Sequence, residues 1–166
     1  MTSETGIAFK HRNLPRLLLQ AREAVMGNAR PRLRAHALSD QQWRVLRVLG
    51  EHRGAGVEVG RVAREAFIPG PSLTGMLARM ERDALVHRAR DPADQRRTVV
   101  QATAKGLRLV HKLSTAIEAH YAWMEQSLGT DKLRQLYALL DELIEIEQAQ
   151  PPAGLAAGTE TTEGTA

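Results

Sequence analysis

Leu14, Leu17, Leu18, Ala21 and Val25 recur at three- and four-residue spacing, which lays one apolar face along a first helix. Asn13 stands where it can cap that helix, and Pro15 falls in the first turn, where a missing N–H costs nothing. Gly27 and Pro31 are expected to break or kink the helix at its far end. Ser39 opens a second helix with Gln42 three residues on, a capping-box arrangement. Leu38, Gln42, Val45, Leu46 and Leu49 share one side of it, and Gly50 with the run Gly54-Ala55-Gly56 ends it. A short third helix fits 58–66, with Val59, Val62, Ala63 and Ala66 inward. After the turn Phe67-Ile68-Pro69-Gly70, Pro71 opens a fourth helix over 71–84, whose buried stripe is Leu73, Met76, Leu77 and Met80.

The period then changes. Residues 85–90 and 97–103 suit two strands, and the intervening 91–96 are rich in turn residues, so this stretch predicts a charged hairpin. Thr103 can cap a long fifth helix. Along it Leu107, Val110, Leu113, Ile117, Tyr121, Met124 and Leu128 approach a heptad seam. Gly129-Thr130 breaks it. A sixth helix begins at Asp131, with Leu133, Leu136, Tyr137, Leu140, Leu143, Ile144 and Ile146 apolar. Residues 1–9 read as a flexible arm and 151–166 as a disordered tail without periodicity. No internal repeat is visible.

These elements predict a mainly α fold with a small β-hairpin wing. A winged helix-turn-helix lobe over 37–103 sits within a helical dimerisation region formed by 10–36 and 104–150. The dimer is expected because long apolar seams lie on helices too exposed to be stable alone.

Composition narrows the function. The 166 residues carry a formal net charge of +4, yet the segment 131–147 is acidic, so the positive excess lies upstream. A basic surplus favours a polyanionic partner, because cations that neutralise phosphates release counterions. Arginine far outnumbers lysine, of which there are only Lys10, Lys105, Lys112 and Lys132. The aromatic content of 4% argues against a single-strand binder that stacks bases on exposed rings. There is no cysteine, which removes disulfides, thiolate catalysis and thiol redox sensing. The start MTSETGIAFKHRN lacks the apolar core of a signal peptide and no apolar run is long enough for a membrane span, so a cytoplasmic location is the default expectation. The six histidines show no metal-binding spacing, and no nucleophile elbow, P-loop or dinucleotide fingerprint occurs. Neither a metal nor a cofactor is expected, and an enzyme or a helical adaptor that dimerises without DNA is a remote alternative.

The chemistry concentrates in the middle of the chain. A short helix, a tight turn and a longer helix make a helix-turn-helix, and the second helix of such a unit can enter the major groove. Its outward positions are Ser72, Thr74, Gly75, Arg79 and Arg82, with Pro71 at its start. Small hydroxyls there allow close approach, and free helix N-terminal amides favour phosphate. In the hairpin, Asp94 can orient the guanidinium of Arg96 two residues on, and an oriented Arg can enter a narrow minor groove. Arg97 comes next as a phosphate contact, and Arg88 on the first strand joins the DNA-binding set.

The stretch from Leu14 to Gln148 resembles the multiple-antibiotic-resistance regulator (MarR) family. The resemblance rests on Ser39-Asp40-Gln41-Gln42-Trp43-Arg44-Val45-Leu46, on Pro71-Ser72-Leu73-Thr74, and on Leu77-Ala78-Arg79-Met80-Glu81 with Leu85-Val86 beyond it. The wing adds Asp94-Gln95-Arg96-Arg97 and Val99 through Gly106. The resemblance implies a homodimer whose two reader helices and two wings grip a near-palindromic operator on double-stranded DNA, and which in many members is a repressor released by a small aromatic acid. Arg12 through Glu23 and Pro69 through Gly75 are similar to the regulators of homoprotocatechuate (hydroxyphenylacetate) degradation operons. Gly75 and Ala89 depart by offering no side-chain hydrogen bond. An activator, or a regulator answering to a different phenolic compound, fits the same residues. For the effector, a cation and an aromatic wall are needed, and Arg16, Gln20, Trp43 and Arg44 form the candidate ligand-binding set.

Overall fold

The computed structural model describes residues 10–52, 55–91 and 94–149, so the arm expected at 1–9 and the tail expected at 151–166 lie outside the described residues. The chain divides into two compact units, Met1–Glu118 and Ala119–Ala166.

In the first unit, α1 spans Leu14–Arg34, with the Asn13 side chain accepting the Arg16 N–H at 2.9 Å as expected of an N-cap. The break expected at Gly27 or Pro31 does not occur, and the helix runs on to Arg34. Pro31 removes one donor, but Leu33 is fully buried and the Pro31 carbonyl still accepts the Ala35 N–H at 3.1 Å, so packing and capping hold the last turn. Helix α2 spans Asp40–Glu51 and opens on the capping box. The Gln42 N–H donates to Ser39 Oγ at 3.2 Å, and the Ser39 N–H donates to Gln42 Oε1 at 2.9 Å.

Strand β1, Val57–Glu58, was not among the sequence expectations. After it come α3 (Val59–Glu65), α4 (Gly70–Arg82), β2 (Val86–Arg90) and β3 (Thr98–Ala102). The sheet is therefore three-stranded and antiparallel in the order β1-β3-β2, with Val57 opposite Val100 and Arg88 also opposite Val100 on the other side. The wing is a hairpin rooted on a third strand. A two-residue strand shows no alternation, and its partner lies some forty residues away, so local pattern cannot reveal it.

The core lies where α1 to α4 and the sheet meet. Leu33, Leu46, Leu49, Val62, Leu73, Leu77, Met80, Val86 and Val100 are all buried. Each such side chain contributes roughly 1.5–3 kcal/mol on burial. All four residues of the expected α4 stripe are among the buried ones.

Three helices of this unit end alike. After α1 the Leu38 N–H reaches the Leu33 carbonyl and the Ala37 N–H reaches Arg34; after α3 the same two bonds run Ile68 to Ala63 and Phe67 to Arg64; after α4 they run Leu85 to Met80 and Ala84 to Glu81. This is the Schellman pattern, whose pivot residue takes left-handed backbone angles. The pivots are Ala37, Phe67 and Ala84, with φ of 54°, 51° and 55°.

Helix α5 spans Ala104–Leu128. Thr103 caps it, accepting the Gly106 N–H at 3.0 Å while its hydroxyl donates to the Ala84 carbonyl at 2.7 Å. Gly106 presses on the Leu85 carbonyl so closely that a Cβ would collide with backbone. The first turn of α5 is thus locked onto the corner between α4 and β2.

In the second unit α5 ends at Gly129, whose φ of 92° suits glycine, and α6 spans Thr130–Gln148. The expected helix break is present. No residue of α6 is buried, and Leu136, Tyr137, Leu139, Ile144 and Ile146 are exposed. Among the described residues no helix is long and apolar enough to cross a membrane.

Candidate nucleic-acid interface and ligand cavity

The helix expected to read DNA is α4, and it is called the reader helix below. Its N-cap position is Pro69, which offers no side-chain hydrogen bond, so the first amides of α4 are left without an internal cap. Pro71 lies in the first turn as expected. Pro71, Ser72, Thr74, Gly75, Arg79 and Arg82 are all exposed. Thr74 Oγ1 turns back to the Gly70 carbonyl at 3.2 Å. Nothing lies within 4 Å of where a Gly75 Cβ would stand, so this face is open. Arg79 and Arg82 have no side-chain ion pair among the described residues.

The wing differs from expectation in two places. Arg88 is half-buried and committed to Glu81. Its backbone N–H donates to Glu81 Oε1 at 3.0 Å, and its Nε and Nη2 donate to Oε2 at 2.9 and 2.7 Å. The same bonds hold the Glu81 carboxyl below the ordinary carboxylate range. Arg88 therefore ties the reader helix to β2 and is not presented outward as a DNA contact. Secondly, Asp94 does not orient Arg96. It accepts the Arg96 backbone N–H at 3.0 Å, and its other oxygen sits 3.3 Å from Arg97 Nε. Arg97 Nη1 also lies 3.7 Å from Glu58 Oε2 on β1. The reason is local: the turn spends one Asp94 oxygen on the 96 amide and leaves the other beside the exposed Arg97 side chain. Arg96 is exposed and has no side-chain partner among the described residues. Glu58 was missed by sequence reasoning, because it belongs to the strand that was missed.

Of the four proposed ligand residues, Trp43 alone lines the cavity on the α2–α5 side. Arg16 and Gln20 are exposed on α1. Arg44 donates through Nη1 to the Phe67 carbonyl at 3.2 Å, fastening α2 to the turn before α4, and its Nε is buried without a hydrogen-bond partner. Burial, with the nearby Arg22 charge, depresses the Arg44 pKa. Trp43 is 5% exposed and lines this cavity of about 270 Å³ with Arg47, Gly50, Glu51, Val110, Ser114, Ile117 and Glu118. Arg16, Gln20 and Arg44 are not in that lining. Gly50 lets α2 approach α5 closely, since a Cβ there would meet Val110 Cγ1 at 2.9 Å. Arg47 stands one helical turn beyond Trp43, which is the signal that sequence reasoning passed over. Its Nε donates to Glu51 Oε1 at 3.0 Å. The lining thus combines an indole, aliphatic side chains and a guanidinium with two carboxylates, Glu51, which pairs with Arg47, and Glu118. Among the described residues no group of acidic or histidine side chains is arranged to hold a metal ion.

Known proteins are similar to this chain in sequence and fold. The MarR family model matches residues 37–97. The homoprotocatechuate degradative operon repressor of Escherichia coli is 42% identical over 134 residues, covering 81% of this chain and 89% of that protein. The HTH-type transcriptional regulator FarR of Neisseria gonorrhoeae is 39% identical over 140 residues, covering 84% of this chain and 94% of that protein. Among solved structures, NadR in complex with 4-hydroxyphenylacetate superposes with a TM-score of 0.74 at 38% identity, covering 83% of this chain and 96% of NadR. A winged helix with a reader helix exposed on one face, and relatives of this identity along most of both chains, leave one assignment: this chain belongs to the MarR family of DNA-binding transcriptional regulators.

Proposed function

We propose that this chain is a homodimeric repressor that binds a near-palindromic DNA operator and is released by a small aromatic acid such as a hydroxyphenylacetate or homoprotocatechuate. In this reading α4 enters the major groove with Ser72, Thr74, Gly75 and Arg79 toward the bases, Pro71 at the groove edge, and Arg96 on the wing in the adjacent minor groove. Asp94 and Arg97 set the wing turn. The exposed apolar residues of α6 and, separately, Leu14, Leu18 and Leu19 of α1 support cover by a second copy. Residues 10–36 and 104–150 then serve dimerisation and 37–103 serve DNA.

The observation that carries the reading is the division of α4. Its four apolar residues are buried and the small and basic ones are exposed, beside a wing whose Arg96 is unpaired among the described residues. The effector reading rests on the cavity at Trp43 and Arg47 and on relatives named for homoprotocatechuate and hydroxyphenylacetate. The test is recovery of bound fragments from the source genome with the purified chain, with and without 4-hydroxyphenylacetate. Enrichment of inverted repeats that vanishes with the acid supports the proposal. No enrichment, or enrichment indifferent to every arylacetate, rejects it.

A further inference from the structure

A second cleft, of about 520 Å³, lies between the turn after α1, the end of α4 and the start of α5. Lys105, Arg108, Lys112 and His36 line it, with Ala37, Leu85 and Leu109 as its apolar part and Asp83 as its one acidic residue. It shares no residue with the Trp43 cavity.

The cations are placed against the grain of the helix that carries them. Lys105 lies in the first turn of α5, which holds no acidic residue. That is the positive end of the helix dipole, where a cation is disfavoured and an anion favoured. Arg108 and Lys112 stand four residues apart, a like-charge spacing that opposes helix formation. Lys105 is relieved by a carbonyl at the C-terminal end of α4, but Arg108 and Lys112 find no internal partner among the described residues. Lys105 Nζ donates to the Asp83 carbonyl at 2.8 Å, and the side chains of Arg108, Lys112 and His36 have no hydrogen bond or ion pair among the described residues. Three permanent cations converging on a concave surface with one carboxylate make a local excess that a bound anion would neutralise.

We infer that this cleft is a binding site for a compact anion carrying two or more negative charges, a carboxylate or a phosphate, distinct from the Trp43 cavity. The multiple charge matches the three cations, against the single Arg47 of the other cavity, which is already shared with Glu51. The concave shape and the Leu85 and Leu109 floor suit a compact di- or tricarboxylate or a phosphate ester better than a continuous phosphate backbone. Arg108 and Lys112 supply the charge from α5, Lys105 supplies it at the helix start, and His36 reaches in from the turn after α1. An occupant would bridge that turn to the α4–α5 corner.

The experiment uses the full chain with citrate and with pyrophosphate as probes, at constant ionic strength. Calorimetry should show saturable binding of one or both, and the pair of probes separates carboxylate from phosphate preference. The double variant Arg108→Gln/Lys112→Gln should weaken that binding at least tenfold, while Lys132→Gln on α6 should not change it. Without probe, the double variant should melt at the same temperature as the parent or higher, because it removes an unfavourable pair. Absence of saturable binding by both probes would overturn the site, as would equal binding by the double variant. So would a probe-free melting temperature well below the parent's, which would make Arg108 and Lys112 structural. If the double variant bound neither probe differently but lost operator affinity, the cleft would be a DNA contact and the inference would fail.

Discussion

Glu81 receives three hydrogen bonds from Arg88, one from its backbone amide and two from its guanidinium, at 3.0, 2.9 and 2.7 Å. One carboxylate thereby joins the last turn of the reader helix to the first strand of the wing. The two elements proposed to face DNA are thereby tied to one another by a contact within the protein.

Glu81→Gln keeps the shape but loses the charge. Operator affinity should fall several-fold. The loss should be smaller in an Arg96→Ala background, since a wing without its guanidinium has less to misplace. Strictly additive losses would show that Glu81 does not act through the wing. The variant should also change the acid limb of stability. A carboxyl whose pKa is lowered by folding stabilises above its unfolded value and loses that stabilisation as pH falls through the folded value. Below about pH 4.5, Glu81→Gln should therefore lose stability less steeply than the parent in denaturant titrations.

Arg96→Ala should weaken operator binding by about 1–3 kcal/mol, roughly fivefold to 150-fold, without shifting the melting temperature. Arg97→Ala should cost less in binding and more in wing order, because Arg97 is braced by Asp94 and Glu58. Fluorescence anisotropy on a labelled operator at two salt concentrations separates the cases. Equal affinity for Arg96→Ala and parent would end the minor-groove assignment.

Arg47→Ala should abolish release by 4-hydroxyphenylacetate while leaving operator affinity within about twofold. Trp43 fluorescence should respond to the acid in the parent. A tenfold loss of DNA affinity requires about 1.4 kcal/mol of coupling, and DNA must weaken the acid by the same factor. A full response in Arg47→Ala would place the carboxylate elsewhere.

Leu139→Glu with Ile146→Glu should leave no folded dimer at micromolar concentration in sedimentation experiments, since both are exposed apolar residues of a helix that has no buried residue. A parent chain that sedimented as a folded monomer would contradict the dimer itself.

Much of the fold was legible because its signals are local. Ser39 and Gln42 cap one another within four residues, Leu73, Met76, Leu77 and Met80 repeat on one face, and Gly129 breaks a continuous seam. The features that escaped depend on partners distant in sequence or on side-chain direction. Strand β1 exists because Val57 meets Val100. Pro31 stays helical because Leu33 is buried. At the candidate site, the outward face of α4 was readable from period alone. The fate of each arginine was not: Arg88 is spent on Glu81 and Arg44 on the Phe67 carbonyl, while Arg47, one turn beyond Trp43, lines the cavity.

The three Schellman endings leave part of this chain's attainable stability unused. Ala37, Phe67 and Ala84 hold left-handed backbone angles that cost a residue bearing a Cβ about 1 kcal/mol or more. Glycine would occupy each without that strain, although its unfolded chain has more freedom to lose. Phe67 adds an 82% exposed aromatic ring at the joint leading into the reader helix. The lobe therefore carries a reserve of thermal tolerance at its helix ends, available to selection or to design without touching a buried residue or one proposed to face DNA.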